Sequence, residues 1–308
     1  MSIRPSLLLK LLLSSALLAW LAWKLDLSAI FLRLQQIDLY WVALACLSLF
    51  VGQVLCALRW VWLARGLGLT VRVLRKIQLY FLGMFLSLFL PSIIGGDVAR
   101  GYLLARGRKD AGWQAAASVI LERINGVYAL TLLVTACMLF LALPGPWWWF
   151  WLSAVLFLWL AMVFYPRIAG YLAQFKSPQW LAGWQALPLS APEFRSAWWQ
   201  SLPLSVVFQL LVVQAHVFLG LAVGLELSWA AYGFMVCLVA LASALPVSFN
   251  GFGIREAGYI GLAVHFGGSS EAAASMALLW VLVLVLTALP GGVVLWRLGG
   301  TRALSKQH

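Results

Sequence analysis

Long apolar runs, each bounded by a few charges, follow one another along almost the whole chain. With about 20 apolar residues taken as one bilayer crossing, the pattern predicts full spans near 7–24, 39–63, 112–143, 147–165, 203–224 and 272–297. Two further runs, 77–94 and 229–249, end in punctuation instead of loops. The first runs into Leu90-Pro91-Ser92-Ile93-Ile94-Gly95-Gly96-Asp97-Val98-Ala99-Arg100, the second into Leu245-Pro246-Val247-Ser248-Phe249-Asn250-Gly251-Phe252-Gly253-Ile254-Arg255-Glu256. Counting from each proline, a glycine falls five residues on (Gly96, Gly251) and an arginine nine residues on (Arg100, Arg255). Proline removes a backbone donor and glycine permits unusual dihedrals, so a helix reaching such a cluster stops and restarts beyond it. In lipid, a broken helix persists only where protein or a watery cavity satisfies the freed backbone groups.

Charge decides how these runs are threaded. If 77–94 crossed completely, Arg106, Arg108 and Lys109 would lie opposite Arg65, Arg72, Arg75 and Lys76, against the positive-inside rule. A dip to mid-membrane with a return through 97–106 keeps both groups on the cytoplasmic face. The same treatment of 229–264 makes it a hairpin entering from the other face. Cytoplasmic segments then hold fifteen basic and two acidic residues, outer segments two basic and four acidic. Both termini are therefore expected inside. Arg4 and Lys10 precede a Leu-rich run, which we expect to be a retained first helix and not a cleaved signal.

The expected fold is an all-α polytopic membrane protein of about six full spans plus two re-entrant helical hairpins in an inverted-topology repeat, N-in and C-in. Three islands of internal similarity support the repeat. Leu63-Ala64-x-Gly66-Leu67-x-Leu69-Thr70 returns as Leu221-Ala222-x-Gly224-Leu225-x-Leu227-Ser228, an offset of 158. The proline breaks match at 155, and Ala115-Ala116-Ala117-Ser118 returns as Ala272-Ala273-Ala274-Ser275 at 157. The single membrane domain, 1–308, thus divides into a first repeat at 39–143, a connecting span and cytoplasmic loop at 147–202, and a second repeat at 203–297. Sites in such folds lie at the repeat interface near the midplane.

Composition agrees with this reading: 64% of the 308 residues are hydrophobic, 10% are charged and the mean hydropathy is +0.97. The net charge of +12 belongs to cytoplasmic loops facing anionic headgroups, not to nucleic acid. Tryptophans such as Trp147-Trp148-Trp149 and Trp151 suit an interfacial belt. Cys46, Cys56, Cys137 and Cys237 lie in apolar runs without metal or CxxC spacing and read as packing residues. No catalytic motif of the HExxH, GxSxG or Walker type is present, and neither a metal nor a cofactor is expected.

Seven ionisable residues remain within the apolar zone: Arg59, Asp97, Arg100, Glu122, Arg123, Arg255 and Glu256. An arginine near the bilayer centre costs roughly 2.5–3.5 kcal/mol on insertion scales, so partners or a cavity must offset it. Arg59, close to its helix end, is expected to snorkel to the surface and is given no role. Asp97 opens the first turn of the return helix with Arg100 three residues on, either as cap and local ion pair or as part of an anion site at a helix N-terminus. Arg255 holds the matching place in the second half, with Gly251 and Gly253 freeing amides beside it. The two arginines are expected to bracket one site.

Glu122 and Arg123 fall near mid-depth, one turned to Arg100 or Arg255 and the other to the opposing repeat. Glu122 and Glu256 read either as structural counter-ions or as proton-linked groups. Asn250 and Ser248 either donate to a headgroup or cap backbone. His216 is expected to be a hydrogen-bonded packing residue and His265 to solvate at the hairpin mouth.

At the two breaks the sequence resembles the flippase-like membrane domain of the lysylphosphatidylglycerol synthase family, over about 40–297. The matching residues are Pro91, Gly95-Gly96-Asp97 and Arg100; Ala117-Ser118, Glu122-Arg123 and Gly126; and Leu245-Pro246, Asn250-Gly251, Gly253 and Arg255-Glu256. The resemblance implies a lipid-translocating fold in the bacterial inner membrane, since in the synthases this domain moves aminoacylated phosphatidylglycerol between leaflets. The chain is expected to lack the aminoacyltransferase domain, so a lysyl-lipid substrate does not carry over, and relatives tied to hopanoid and glycolipid pathways keep other lipids open.

The expected function is a flippase or scramblase-like lipid translocase for a phosphate-bearing headgroup. Its candidate binding residues are Arg100, Arg255, Asp97, Glu122, Arg123, Glu256, Asn250, Gly96 and Gly251, and its partners are anionic phospholipid or polyprenyl-phosphate-type lipids. The alternatives are a membrane-embedded lipid-phosphate transferase and a non-transporting partner of a lipid-modifying enzyme.

Overall fold

The computed structural model describes residues 15–298 except 18, 22, 71, 90–94, 107–110, 142–144, 146, 173–186 and 245–250. The described residues form helices and connecting turns, with no strand among them. In chain order the helices are α1 (Leu27–Gln35), α2 (Leu39–Gly66), α3 (Val73–Ser87), α4 (Gly95–Ala105), α5 (Gly112–Phe140), α6 (Trp147–Leu172), α7 (Pro192–Val223), α8 (Trp229–Ala244), α9 (Ile254–His265) and α10 (Ser270–Arg297). Four of them, α2, α5, α7 and α10, are long and apolar enough to cross a membrane. The expected spans at 39–63, 112–143, 203–224 and 272–297 fall on these four. The run at 147–165 falls on the 26-residue α6. Most of the run at 7–24 lies outside the described residues.

Two local expectations need correction, and a third residue has a partner the sequence did not reveal. The helix containing 203–224 begins at Pro192, so its first eleven residues occupy what the sequence pattern assigns to a cytoplasmic loop. Pro192 suits a first helical turn, where no amide hydrogen is needed, and Phe194 and Trp198 supply an apolar face that is buried. Residues 27–35, expected as outer loop, form α1: the Asp26 carboxylate accepts from the Ser28 and Ala29 amides at 2.9 and 3.1 Å. The Ser28 hydroxyl and the Ala29 amide hold that carboxyl below its ordinary range. Lys76, of the cluster expected on the cytoplasmic side, is fully buried in the first turn of α3, where its Nζ donates to the Leu69 carbonyl at 2.8 Å. Its ammonium caps backbone left over where α2 ends, and the residue folds inward for that partner.

The paired short helices are α3 with α4 and α8 with α9, of 15, 11, 16 and 12 residues. At 1.5 Å per residue each reaches only about 16–24 Å, short of the roughly 30 Å hydrocarbon core. Gly96 lies against Gly83 and Ser87, while Arg100 lies over Tyr80, so α4 advances as α3 recedes and the two are antiparallel. Gly258 against Val239 and Phe266 against Phe234 show the same for α9 and α8. A glycine is required at 96, because a Cβ there would stand 1.9 Å from the Gly83 carbonyl oxygen.

The long helices bind the halves together. α2 and α7 run antiparallel in register, with Trp41 stacked on Phe218, the Ser48 hydroxyl on the Leu211 carbonyl, Gly52 on Phe208 and Gly66 on Phe194. Elsewhere α3 packs on α10 as α8 packs on α5, α4 on α5 as α9 on α10, and α2 on α10 as α7 on α5. Exchanging α1–α5 for α6–α10 in order carries each of these packed pairs onto another. The α3–α10 crossing is as close as the α3–α4 one: a Cβ on Gly291 would meet the Phe81 carbonyl oxygen at 2.0 Å. Small residues that let helix backbones meet replace the hydrophobic drive that is missing in lipid. The main apolar core collects residues of α2, α5, α7, α8, α9 and α10, with Leu219, Met235, Ala263 and Met276 fully covered.

Candidate functional site

Five charged side chains from three helices join into one chain: Arg59 of α2, Glu122 of α5, Arg100 and Asp97 of α4, and Arg123 of α5. Glu122 is its centre. One carboxylate oxygen accepts from Arg59, the other from Arg100 Nη2 at 2.7 Å. The same Arg100 Nη2 stands 3.0 Å from Asp97 Oδ1, and Asp97 Oδ2 accepts from Arg123. Signs alternate along the chain, so every carboxylate lies between two guanidiniums. In a low-dielectric interior, loss of one partner of such charge-assisted bonds leaves an uncompensated charge.

Burial grades along this chain. Arg59, Glu122 and Arg100 are almost fully covered; Asp97 is mostly covered; the Arg123 side chain is 46% exposed. Arg100 is held on its faces by Trp60 and Tyr80, with ring centroids 4.7 and 4.9 Å from the guanidinium carbon. Those rings are themselves fixed: Trp60 Nε1 donates to the Ser118 hydroxyl at 3.0 Å and the Tyr80 hydroxyl to Gln53 Oε1 at 3.1 Å. Arg100 Nε and Nη1, though buried, have no hydrogen-bond partner among the described residues. That is costly for a guanidinium and marks unused donor capacity. At the deep end, Arg59 Nη1 donates to Ser205 of α7 at 2.8 Å, and Ser205 donates to Asn125 of α5.

Arg59 is thus corrected: it does not snorkel to the surface but turns inward, 4% exposed, between Glu122 and Ser205. α2 continues seven residues beyond it to Gly66, and Gly52, Cys56 and Leu63 at helical spacing around it face protein, so a counter-ion is nearer than water. Arg123 pairs with Asp97 of its own half. Both neighbours on α5 reach the same helix because Arg123 has the longer side chain.

The second break forms a separate cluster. Gly251 and Gly253 carry φ of 81° and 84°, a left-handed backbone that glycine adopts without a Cβ clash. Glu256 accepts from the Gly253 amide at 2.6 Å, and its other oxygen takes Arg255 Nη2 at 3.1 Å. Glu256 therefore caps α9, and Arg255 is held by its own neighbour and by the Phe252 ring, 5.2 Å away. Arg100 and Arg255 share no bonding partner among the described residues. Asn250 and Ser248 lie outside those residues, as does Pro91. Close by, His216 of α7 is fully buried with Nε2 3.0 Å from the Tyr259 hydroxyl and Nδ1 2.9 Å from the Val212 carbonyl, the packing role its sequence suggests.

Sequence reasoning missed Ser205, Asn125, Trp60 and Tyr80. One signal was there: Ser201, Ser205, Gln209 and His216 form a polar stripe on a single face of an apolar helix, and all four are buried.

In comparison with known proteins, the family described as the lysylphosphatidylglycerol synthase transmembrane region matches residues 7–291. No curated protein matches the chain.

Proposed function

We propose, from the premise that the chain belongs to the lysylphosphatidylglycerol synthase transmembrane-region family, that it translocates a lipid whose polar, phosphate-bearing headgroup passes between two halves of inverted topology. It is a multi-pass membrane protein of a family tied to lipid modification or translocation. In this reading it resides in the bacterial inner membrane, and α3–α4 and α8–α9 are re-entrant hairpins from opposite faces. Two features support the inversion. The equivalent helices α2 and α7 run antiparallel, and the packing pairs interchange when the halves are exchanged. Two such units are related by an axis lying across the helices, in the plane of the bilayer.

The observation that carries the reading is the graded chain of charges from half-exposed Arg123 to fully covered Arg59. A polar headgroup cannot enter hydrocarbon without losing its hydration. A row of guanidiniums and carboxylates that already bear that cost provides replacement partners along the way. Arg100 and Arg123 are where the phosphate is met; Arg255 occupies the matching place of the second hairpin, in a cluster of its own. Lipid tails remain in the bilayer, and no bond in the lipid is broken.

The test is transbilayer movement in liposomes holding purified protein and headgroup-labelled anionic, zwitterionic or polyprenyl-phosphate lipids. Wild type should exceed protein-free vesicles at least tenfold for one class, and Arg100→Gln should fall to the protein-free rate. Equal rates with and without protein for all classes overturn the reading, and release of a free headgroup would replace it with transferase chemistry.

A further inference from the structure

Asp97 bridges two guanidiniums that belong to different helices. Its Oδ1 stands 3.0 Å from Arg100 Nη2 on α4, and its Oδ2 accepts both Nε and Nη2 of Arg123 on α5. Three observations single out this bridge. The five-membered charge chain holds three arginines against two carboxylates, so it keeps one net positive charge even with Asp97 in place. Arg100 is 3% exposed yet leaves Nε and Nη1 without partners among the described residues, so it can donate to further oxygens without giving up Glu122. Arg123 is nearly half exposed, so the outer end of the bridge is open to an incoming group while the inner end is not.

A carboxylate in that position presents two oxygens to two guanidinium forks. A phosphate group offers the same pair of oxygens plus further acceptors, which the unused Nε and Nη1 donors of Arg100 can take. Asp97 is also in the first turn of α4, where the helix amides favour any anion, side chain or ligand. Glu122 differs from Asp97: both its partners are fully covered, and Arg59 ties it to α7, so it is the fixed counter-ion and Asp97 the exchangeable one.

We infer that Asp97 is an internal ligand seated where a phosphate mono- or diester binds, and that an anionic headgroup displaces it from Arg100 and Arg123. The inference rests on the translocation reading for its biological source, but its physical content is a binding competition. In the arrangement seen here the seat is filled by the protein's own carboxylate and the site is closed. Ligand entry frees Asp97, leaving Arg100–Glu122 as the ion pair between α4 and α5 among the described residues, beside their apolar packing.

The experiment measures binding, so it is separable from transport. Full-length protein in detergent micelles is titrated by calorimetry with dihexanoyl phosphatidylglycerol, with dihexanoylglycerol as the phosphate-free control and with inorganic phosphate. Asp97→Asn keeps the shape and one acceptor but removes the charge, and should bind dihexanoyl phosphatidylglycerol at least tenfold tighter than wild type. Adding Arg123→Gln should abolish that gain, and dihexanoylglycerol should show none. A gain of the same size for inorganic phosphate would support the seat while assigning it to the free anion and not to a lipid.

Unchanged or weaker binding by folded Asp97→Asn overturns the inference, whatever the liposome rates are. Should Asp97→Asn not fold, Arg123→Gln alone decides: wild-type affinity for dihexanoyl phosphatidylglycerol must drop at least tenfold, and an unchanged value overturns the inference. Flux absent from wild type together with a gain in Asp97→Asn would instead remove the translocation reading and leave the seat standing.

Discussion

Arg59 and Ser205 meet at 2.8 Å, and with that bond the charge chain of the first half is anchored to the first long helix of the second. Arg59 also serves Glu122, so one side chain links α2, α5 and α7. Exchange for methionine, which fills similar space without charge, leaves Glu122 with Arg100 alone. Breaking a buried pair by removing one partner costs about 3–5 kcal/mol. Arg59→Met is therefore expected to lower unfolding stability in mixed micelles by an amount in that range. Because both act through the same carboxylate, the double variant Arg59→Met/Glu122→Gln should lose less than the sum of the singles. Strict additivity would show that the two side chains do not interact.

Close backbone approach makes a second, steric prediction. A Cβ at Gly96 or Gly291 would fall 1.9 Å or 2.0 Å from a backbone carbonyl oxygen, where no side chain can swing aside. A Cβ at Gly112, also helical, meets nothing within 4 Å. Gly96→Ala and Gly291→Ala should each destabilise by at least about 1–3 kcal/mol, the usual cost of overpacking. Gly112→Ala should be neutral or slightly stabilising through helix propensity. Thermal unfolding of the three purified variants decides it, and equal melting temperatures would contradict the close α3–α4 and α3–α10 approaches.

The contrast between Arg59 and Arg100 shows how far the fold and the site could be read from sequence. Break positions, long helices and the candidate charges at Asp97, Arg100, Glu122 and Arg123 follow from local signals: apolar run length, glycine and proline, and charge out of place. Partner choice does not. Arg59 lies near enough to a helix end for snorkelling to look cheaper than burial, and only the packing of α7 supplies Ser205 as the competing partner. The partner of Lys76 is hidden for the same reason, since a vacant carbonyl at Leu69 cannot be seen in composition. Asp26 is the opposite case: its cap on α1 is a local signal, but a nine-residue helix is too short to register as an apolar run.

Topology gives the third prediction. If α3–α4 enters and leaves by one face and α8–α9 by the other, the two ends of each pair must be reached from the same side. Single cysteines at Arg72 and Arg106 flank the first pair, and single cysteines at Ser228 and Ser269 flank the second. The background needs Cys46, Cys56, Cys137 and Cys237 replaced by alanine, all free thiols in the natural chain. In intact cells, a membrane-impermeant maleimide should label positions 228 and 269 and spare 72 and 106, which label only after lysis. Opposite labelling of 72 and 106 would make α3 and α4 parts of a complete crossing and end the re-entrant reading.

The last prediction concerns the stitch between α7 and α9. At the repeat offset of 157, Arg59 corresponds to His216, so each half buries one polar side chain at the same place on its first long helix. His216 is bonded at both ring nitrogens, to the Tyr259 hydroxyl at 3.0 Å and the Val212 carbonyl at 2.9 Å, and lies tilted against Trp280 with centroids 4.0 Å apart. With every polar atom of the ring satisfied, nothing remains for a ligand, and the group holds α9 against α7. Tyr259→Phe strands one ring nitrogen in a dry site and should cost about 1–3 kcal/mol. Removing both partners together, His216→Leu/Tyr259→Phe, should recover part of that loss, because no polar atom is then left unpaired. Liposome translocation should follow the stability of these variants and show no separate dependence on the imidazole. A folded double variant with full stability but no flux would show that His216 acts on the lipid.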